Sequence, residues 1–154
     1  MRYLILLAAL LATTAHAYFP VASEGFSQSR YMIACRLSEL NCSGVFAPVV
    51  MAVPTGDELG WHYWGTNIVF VSDRCLIDVA DQMKCDAVVV HEIVHYLFWA
   101  ANKDKTPSVE LSCASEALAW DVYNAYVQEI GRADLVRLDW VRSYPQCANL
   151  TSTP

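Results

Sequence analysis

Several stretches of the chain place apolar residues at helical intervals. Residues 23–40 carry an apolar stripe with charged residues on the opposite side, which predicts an amphipathic helix. Residues 87–101 are apolar almost all round, so we expect a buried helix with Asp86 as its N-cap. Residues 108–130 predict a third helix, and residues 134–143 predict a last helix that packs back along it.

Three short stretches between the first two predicted helices are typical of strands. Residues 45–53 are rich in valine and contain Pro48, which favours an edge or bulge position. Residues 61–64 and 67–71 flank Gly65 and predict two short strands, the second of them an edge strand that could pair with an extended peptide. These elements predict an α+β fold in which a short mixed or antiparallel sheet packs on a helix bundle.

The start of the chain has the pattern of a secretory signal peptide. A basic residue precedes the apolar stretch 3–12, and residues 15–17 read Ala-His-Ala, an A-x-A cleavage site. Removal of residues 1–17 would leave a single domain over residues 18–154, secreted or periplasmic. The apolar stretch is too short to span a bilayer comfortably, and no later stretch has the roughly 18 apolar residues that a membrane helix needs.

The net charge of the chain limits the kinds of partner that it is expected to bind. The chain has ten basic and sixteen acidic residues, and loss of the signal segment removes one basic residue, which leaves a net charge of −7. An acidic protein of this kind is not expected to bind nucleic acid or an anionic membrane surface.

All six cysteines follow the signal segment. An even count in an exported chain favours disulfides over thiolate metal ligands, although six cysteines allow many pairings. Two pairs would close short local loops, and a helical hairpin would bring the remaining two cysteines side by side. The pairs favoured by these arguments are Cys35–Cys42, Cys75–Cys85 and Cys113–Cys147.

The chemistry-bearing motif lies inside the predicted buried helix, where residues 91–95 read His-Glu-Ile-Val-His. Residues four apart share a helical face, so both imidazoles can bind one zinc ion while Glu92 faces the water that zinc holds. Zinc can lower the pKa of that water to about 7, and a carboxylate can then take its proton. The motif therefore predicts metal ligands at His91 and His95 and a general base at Glu92.

This motif, followed by Ser115-Glu116-Ala117, resembles the gluzincin group of thermolysin-like zinc metallopeptidases. In that group the third zinc ligand is a glutamate on the helix after the metal helix, and Glu116 follows His95 by 21 residues. The resemblance implies a minimal zincin-like fold, with one zinc ion held by His91, His95 and Glu116. It also implies hydrolysis of peptide bonds.

A zinc peptidase also needs a group that stabilises the developing oxyanion. Tyr123 is seven residues after Glu116 and nearly on the same helical face, so it is the favoured candidate. His62 lies among aromatic residues, a setting more typical of a packed histidine, but it is an alternative for this role or for the third ligand. Asp121 lies about 140° round the helix from Glu116 and does not fit a role beside it.

The sequence thus predicts an exported zinc metallopeptidase that acts on a peptide or protein, with cell-wall peptides among the substrates left open. One alternative is a zinc-binding but inactive binding or inhibitory module. Another is a disulfide-stabilised interaction protein in which the motif is accidental. Zinc content separates the last alternative from the others, and hydrolysis separates the first two.

Overall fold

Over residues 21–54, 59–77 and 82–148, the parts of the chain that it describes, the computed structural model contains four α-helices, three strands and three 3-10 segments. The helices are α1 (Glu24–Ser38), α2 (Arg74–Ile77), α3 (Gln82–Asn102) and α4 (Val109–Glu129). The strands are β1 (Val49–Val53), β2 (Gly60–His62) and β3 (Ile68–Ser72). The 3-10 segments follow α4, at Ala133–Leu135, Trp140–Ser143 and Pro145–Cys147. The predicted signal segment, residues 1–17, lies outside the described residues.

The strands form one mixed sheet in the order β1-β3-β2. β1 runs parallel to β3, and β2 runs antiparallel to it, so the predicted α+β class is confirmed. The prediction that residues 67–71 form an edge strand is wrong, because β3 lies in the centre of the sheet. A local pattern indicates the hairpin partner of a strand but not the parallel partner that a distant segment supplies. β2 is an edge strand of this sheet instead.

Helix α3 forms the centre of the core. It packs against α1, α4 and the strands β2 and β3. Five of its larger apolar residues have almost no exposed surface, as the almost wholly apolar sequence predicts. They are Val89, Val90, Ile93, Val94 and Leu97.

The start of α3 differs from the prediction. The helix begins at Gln82, so Asp86 lies inside it and is not the N-cap. The Asp86 carboxylate instead accepts a hydrogen bond of 2.7 Å from the Arg30 guanidinium of α1. Residues 82–85 read Gln-Met-Lys-Cys and are too few to show an apolar helical period, which is why the pattern places the start of the helix too late.

The predicted helix over residues 134–143 is also wrong, because this segment forms separate 3-10 turns. The side chain of Asn124 on α4 donates to the Arg137 carbonyl and accepts from the Arg137 N–H, at 2.9 and 2.7 Å. Both backbone groups of residue 137 are therefore unavailable to a helix. The preceding helix agrees well with prediction: the Ser108 hydroxyl caps α4 by accepting from the Leu111 N–H.

The three predicted disulfides are all present. Cys35–Cys42, Cys75–Cys85 and Cys113–Cys147 have Cα–Cα distances of 6.1, 5.1 and 5.3 Å. Three disulfides in one small chain indicate an oxidising environment. Among the described residues, no helix combines the length and the apolar character needed to cross a membrane.

Candidate metal centre

Packing of α3 against α4 brings His91, His95 and Glu116 together. The two imidazoles lie one turn apart on α3, and their Nε2 atoms are 3.1 Å apart. Glu116 faces them from α4, with Oε1 at 3.6 Å from His95 Nε2 and Oε2 at 3.8 Å from His91 Nε2. This is the group of three residues that the motif and the resemblance indicate, and it could hold a metal ion.

The distances suit a small cation. Ligand bonds of about 2.0–2.1 Å in a tetrahedral zinc site place neighbouring ligand atoms about 3.3 Å apart. The imidazole nitrogens are 3.1 Å apart, and the two carboxylate oxygens lie 3.6 and 3.8 Å from one imidazole nitrogen each, distances close to that value. Glu116 Oε2 is also buried without a hydrogen-bond partner. A cation would satisfy this carboxylate oxygen as well as the facing imidazole lone pairs, so the residues present fit the metal.

The orientation of His95 is fixed by a residue that directly precedes Glu116. Ser115 is buried, and its Oγ lies 2.7 Å from His95 Nδ1. Because His95 Nε2 faces the other two groups, we assign the ring proton to Nδ1, which donates it to the Ser115 hydroxyl. The sequence pattern gives Ser115 no role of its own, since the serine precedes the glutamate without any distinguishing spacing.

The side chain of His91 is more fully buried than that of His95. Its ring centroid lies 4.4 Å from that of Trp120. Burial lowers the pKa of His91 to about 4, and interaction with the Ala119 backbone partly opposes this. That interaction is weak, because His91 Nδ1 has no partner within ordinary hydrogen-bond geometry. Burial also holds the pKa of His95 well below its usual value. Both imidazoles are therefore neutral at pH 7, the form that binds metal.

Glu116 is the carboxylate of the group. Burial raises the pKa of Glu116 to about 7, and the side chains of Tyr144 and Trp120 oppose that shift by hydrogen bonding. The interaction with Trp120 is weak, because Trp120 Nε1 has no partner within ordinary hydrogen-bond geometry. A bound cation would favour the ionised carboxylate. Tyr144 was not singled out by the sequence. Its place three residues before Cys147 could have drawn attention to it, because the predicted disulfide ties that region to α4.

Glu92 lies in the same cleft. It is buried and, with the three residues of the group, lines a cavity of about 650 Å³. Gly60 on β2 presses against it, because a β-carbon at Gly60 would lie 2.9 Å from Glu92 Cγ and 2.8 Å from Val88 Cγ1. Such distances are too short for any side chain, so glycine is what lets β2 approach α3 this closely. No sequence pattern marks this glycine.

The remaining candidates occupy different places. Tyr123 is buried, lines the cavity and has its ring 6.3 Å from that of His91. His62 also lines the cavity, but its Nε2 is 2.9 Å from the Thr66 carbonyl, and its ring packs near Tyr96 and Trp99. His62 is not part of the ligand group. Asp121 is exposed on α4 and is not part of it either.

Backbone groups of β2 complete the cleft. The Leu59 carbonyl accepts from the Ser72 N–H at 2.9 Å, and Trp61 is paired with Phe70. Because pairing alternates along an antiparallel ladder, Gly60 and His62 turn their N–H and C=O groups away from β3. Both residues line the cavity, and their outward backbone groups face away from β3 at the edge of the sheet.

Comparison with known proteins gives no relative: no family model, no curated protein and no solved structure matches the chain. What the chain can do must therefore be argued from the ligand group, the buried carboxylate beside it and the cleft that encloses both.

Proposed function

We propose that this protein is a zinc metallopeptidase of the gluzincin type, with a zincin-like fold, that hydrolyses peptide bonds. The observation that carries the proposal is the meeting of His91, His95 and Glu116 in the cavity that Glu92 also lines. A histidine pair on one helix and a glutamate on the next helix are the ligands that the gluzincin resemblance implies.

The donor set favours zinc over other common cations. Two imidazole nitrogens and one carboxylate oxygen suit zinc, whereas calcium and magnesium prefer sites made entirely of oxygen. Three protein ligands leave one tetrahedral position toward the cavity, as catalytic zinc sites do. When bound, zinc would supply Lewis acidity, which polarises a substrate carbonyl and makes water more acidic.

Glu92 is the proposed general base. Its carboxylate follows His91 directly on α3 and reaches the cavity beside the ligand group. There it would accept the proton of the attacking water and return it to the leaving amine nitrogen. Gly60 keeps the facing strand close, which limits the space in which the Glu92 side chain can rotate.

Tyr123 is the proposed donor to the developing oxyanion. It is buried at the cavity wall, and burial raises the pKa of its hydroxyl, so the group keeps its proton at neutral pH. A neutral hydroxyl can donate a hydrogen bond, and loss of one such donor commonly slows a hydrolase by a factor of about 100 to 1,000.

The substrate would bind in an extended form along β2. The outward N–H and C=O groups of Gly60 and His62 can pair with a peptide backbone, as an added strand does. The three disulfides support action outside the reducing interior of a cell, either secreted or in a periplasm. A peptide stem of a cell wall and a protein chain both meet these requirements.

Cleavage profiling tests the proposal. The protein purified without its signal segment is incubated with a diverse peptide library, with and without a zinc chelator, and zinc is then added back. We expect cleavage that chelation abolishes and zinc restores, and none from the His91→Ala variant. A protein that binds zinc but cleaves nothing would instead be the inactive binding module. One that binds no zinc would be the disulfide-stabilised interaction protein.

A further inference from the structure

Tyr144 reaches the ligand group from outside the two helices that carry it. It lies between two 3-10 segments, Trp140–Ser143 and Pro145–Cys147, and lines the cavity together with Glu116. Its side chain is close enough to that of Glu116 for hydrogen bonding to lower the pKa of the carboxyl group. The third candidate ligand is therefore in contact with a segment that follows α4 in the chain.

The Cys113–Cys147 disulfide explains how this segment stays in place. Cys113 precedes Glu116 by three residues, so both lie on one face of α4. Cys147 follows Tyr144 by three residues, one turn of a 3-10 helix, and its N–H donates to the Tyr144 carbonyl at 2.9 Å. The disulfide and the Tyr144–Glu116 contact thus join the same two segments, one turn apart in each. Both cysteines are buried.

We infer that Tyr144 is a positioning residue for Glu116, and that the Cys113–Cys147 bridge holds Tyr144 over the carboxylate. The inference rests on the proposed metal site. Donation from the Tyr144 hydroxyl would restrain rotation of the carboxylate, while Glu116 Oε2, which has no hydrogen-bond partner, lies 3.8 Å from His91 Nε2. Groups that orient a metal ligand in this way typically contribute a factor of about 10–100 to metal affinity.

The first test compares Tyr144→Phe with the unmodified protein. Zinc affinity is measured by competition with a chromophoric chelator, and the visible absorption of the cobalt-loaded protein reports ligand geometry. We expect zinc binding weaker by a factor of about 10–100 and altered cobalt bands. Tyr63→Phe is the matched control, because Tyr63 is 59% exposed and keeps its aromatic contacts as phenylalanine. It should bind zinc normally.

The second test asks whether the disulfide acts through Tyr144. We expect Cys113→Ala/Cys147→Ala to weaken zinc binding as Tyr144→Phe does, with no further loss when the variants are combined. Cys35→Ala/Cys42→Ala, which removes a bridge between α1 and the loop after it, should keep zinc affinity. Additive losses would overturn the role of the disulfide. If the disulfide variant does not fold, Tyr144→Phe decides alone.

The outcomes separate this inference from the proposed function. An unmodified protein that binds no zinc would reject both. An unmodified protein that binds zinc, with an unchanged affinity and cobalt spectrum in Tyr144→Phe, would reject the inference and leave the proposed function standing.

Discussion

Gly60 and Glu92 are in such close contact that a β-carbon on Gly60 would lie 2.9 Å from Glu92 Cγ. The backbone of β2 therefore forms a wall against the proposed general base. We predict that Gly60→Ala lowers kcat by at least tenfold, because displacement of a catalytic group by about 1 Å can cost about a hundredfold. Zinc content should not change. Peptide turnover and metal analysis of the same preparation measure the two effects.

Gly25→Ala is the matched control for that variant. Gly25 is exposed on α1, and nothing lies within 4 Å of the position its β-carbon would take. Alanine favours a helix by up to about 1 kcal/mol relative to glycine, so this variant should be slightly more stable and fully active. Equal activity in Gly60→Ala and Gly25→Ala would show that the contact with Glu92 does not matter for turnover.

Glu92→Gln should abolish most turnover while zinc and fold are retained, because an amide cannot accept the proton of water. We expect kcat to fall by a factor of about 100 or more, as for loss of a general base. The measurement is kcat on the best library peptide with the variant fully loaded with zinc. Normal turnover in the loaded variant would rule out the mechanism.

Glu116→Ala should lose zinc at limiting metal, whereas His62→Ala and Asp121→Ala should keep it. Glu116 places both carboxylate oxygens within 3.8 Å of the imidazole nitrogens, whereas His62 is engaged with the Thr66 carbonyl. Competition with a chelator gives the three affinities. If His62→Ala lost zinc and Glu116→Ala kept it fully, the ligands would be three histidines and not two histidines and one glutamate.

Ser115→Ala should weaken zinc binding by a factor of about 10–100, because His95 Nδ1 would lose the hydroxyl that orients its ring. The hydroxyl lies 2.7 Å from that nitrogen. Ser112→Ala serves as the control, since Ser112 is an exposed serine at the wall of the same cavity. Equal zinc affinities in the two variants would mean that Ser115 is not needed to orient the ring.

Asp86→Asn tests a contact that holds α1 against α3. The side chains of Arg30 and Asp86 are only 20% and 15% exposed, and the variant would leave the guanidinium without its carboxylate. We expect the free energy of unfolding to fall by about 1–3 kcal/mol. Glu129→Gln, which breaks the exposed Arg36–Glu129 pair, should have much less effect. Urea denaturation of both variants provides the comparison.

The sequence predicts local features of the candidate site well. His91 and His95 share a helical face by spacing alone, and two of the disulfides close short loops. Glu116 could be indicated only by the resemblance, since no periodicity shows which face of a later helix will meet α3. The structure adds that the distances suit a metal, which spacing cannot give.

Features that depend on distant partners were not predictable. β3 lies in the centre of the sheet because β1, which is separated from it in the chain by β2, pairs with its other edge. Asp86 lies inside a helix and pairs with Arg30 of α1, a partner that its own sequence neighbours do not indicate. Gly60 and Tyr144 also act through tertiary contacts, so their own sequence neighbours carry no signal.

On α3, the apolar residues that form the core are interspersed with the polar residues that line the cleft. Val89, Val90, Ile93 and Val94 are buried against the rest of the fold, and the two histidines and Glu92 lie between and beside them in the same turns. Rotation of the helix by one residue, about 100°, would turn the imidazoles away from Glu116 and expose valines to water. The hydrophobic free energy that folds the chain therefore also preorganises the histidines, and the entropy of ordering them is lost at folding rather than at metal binding.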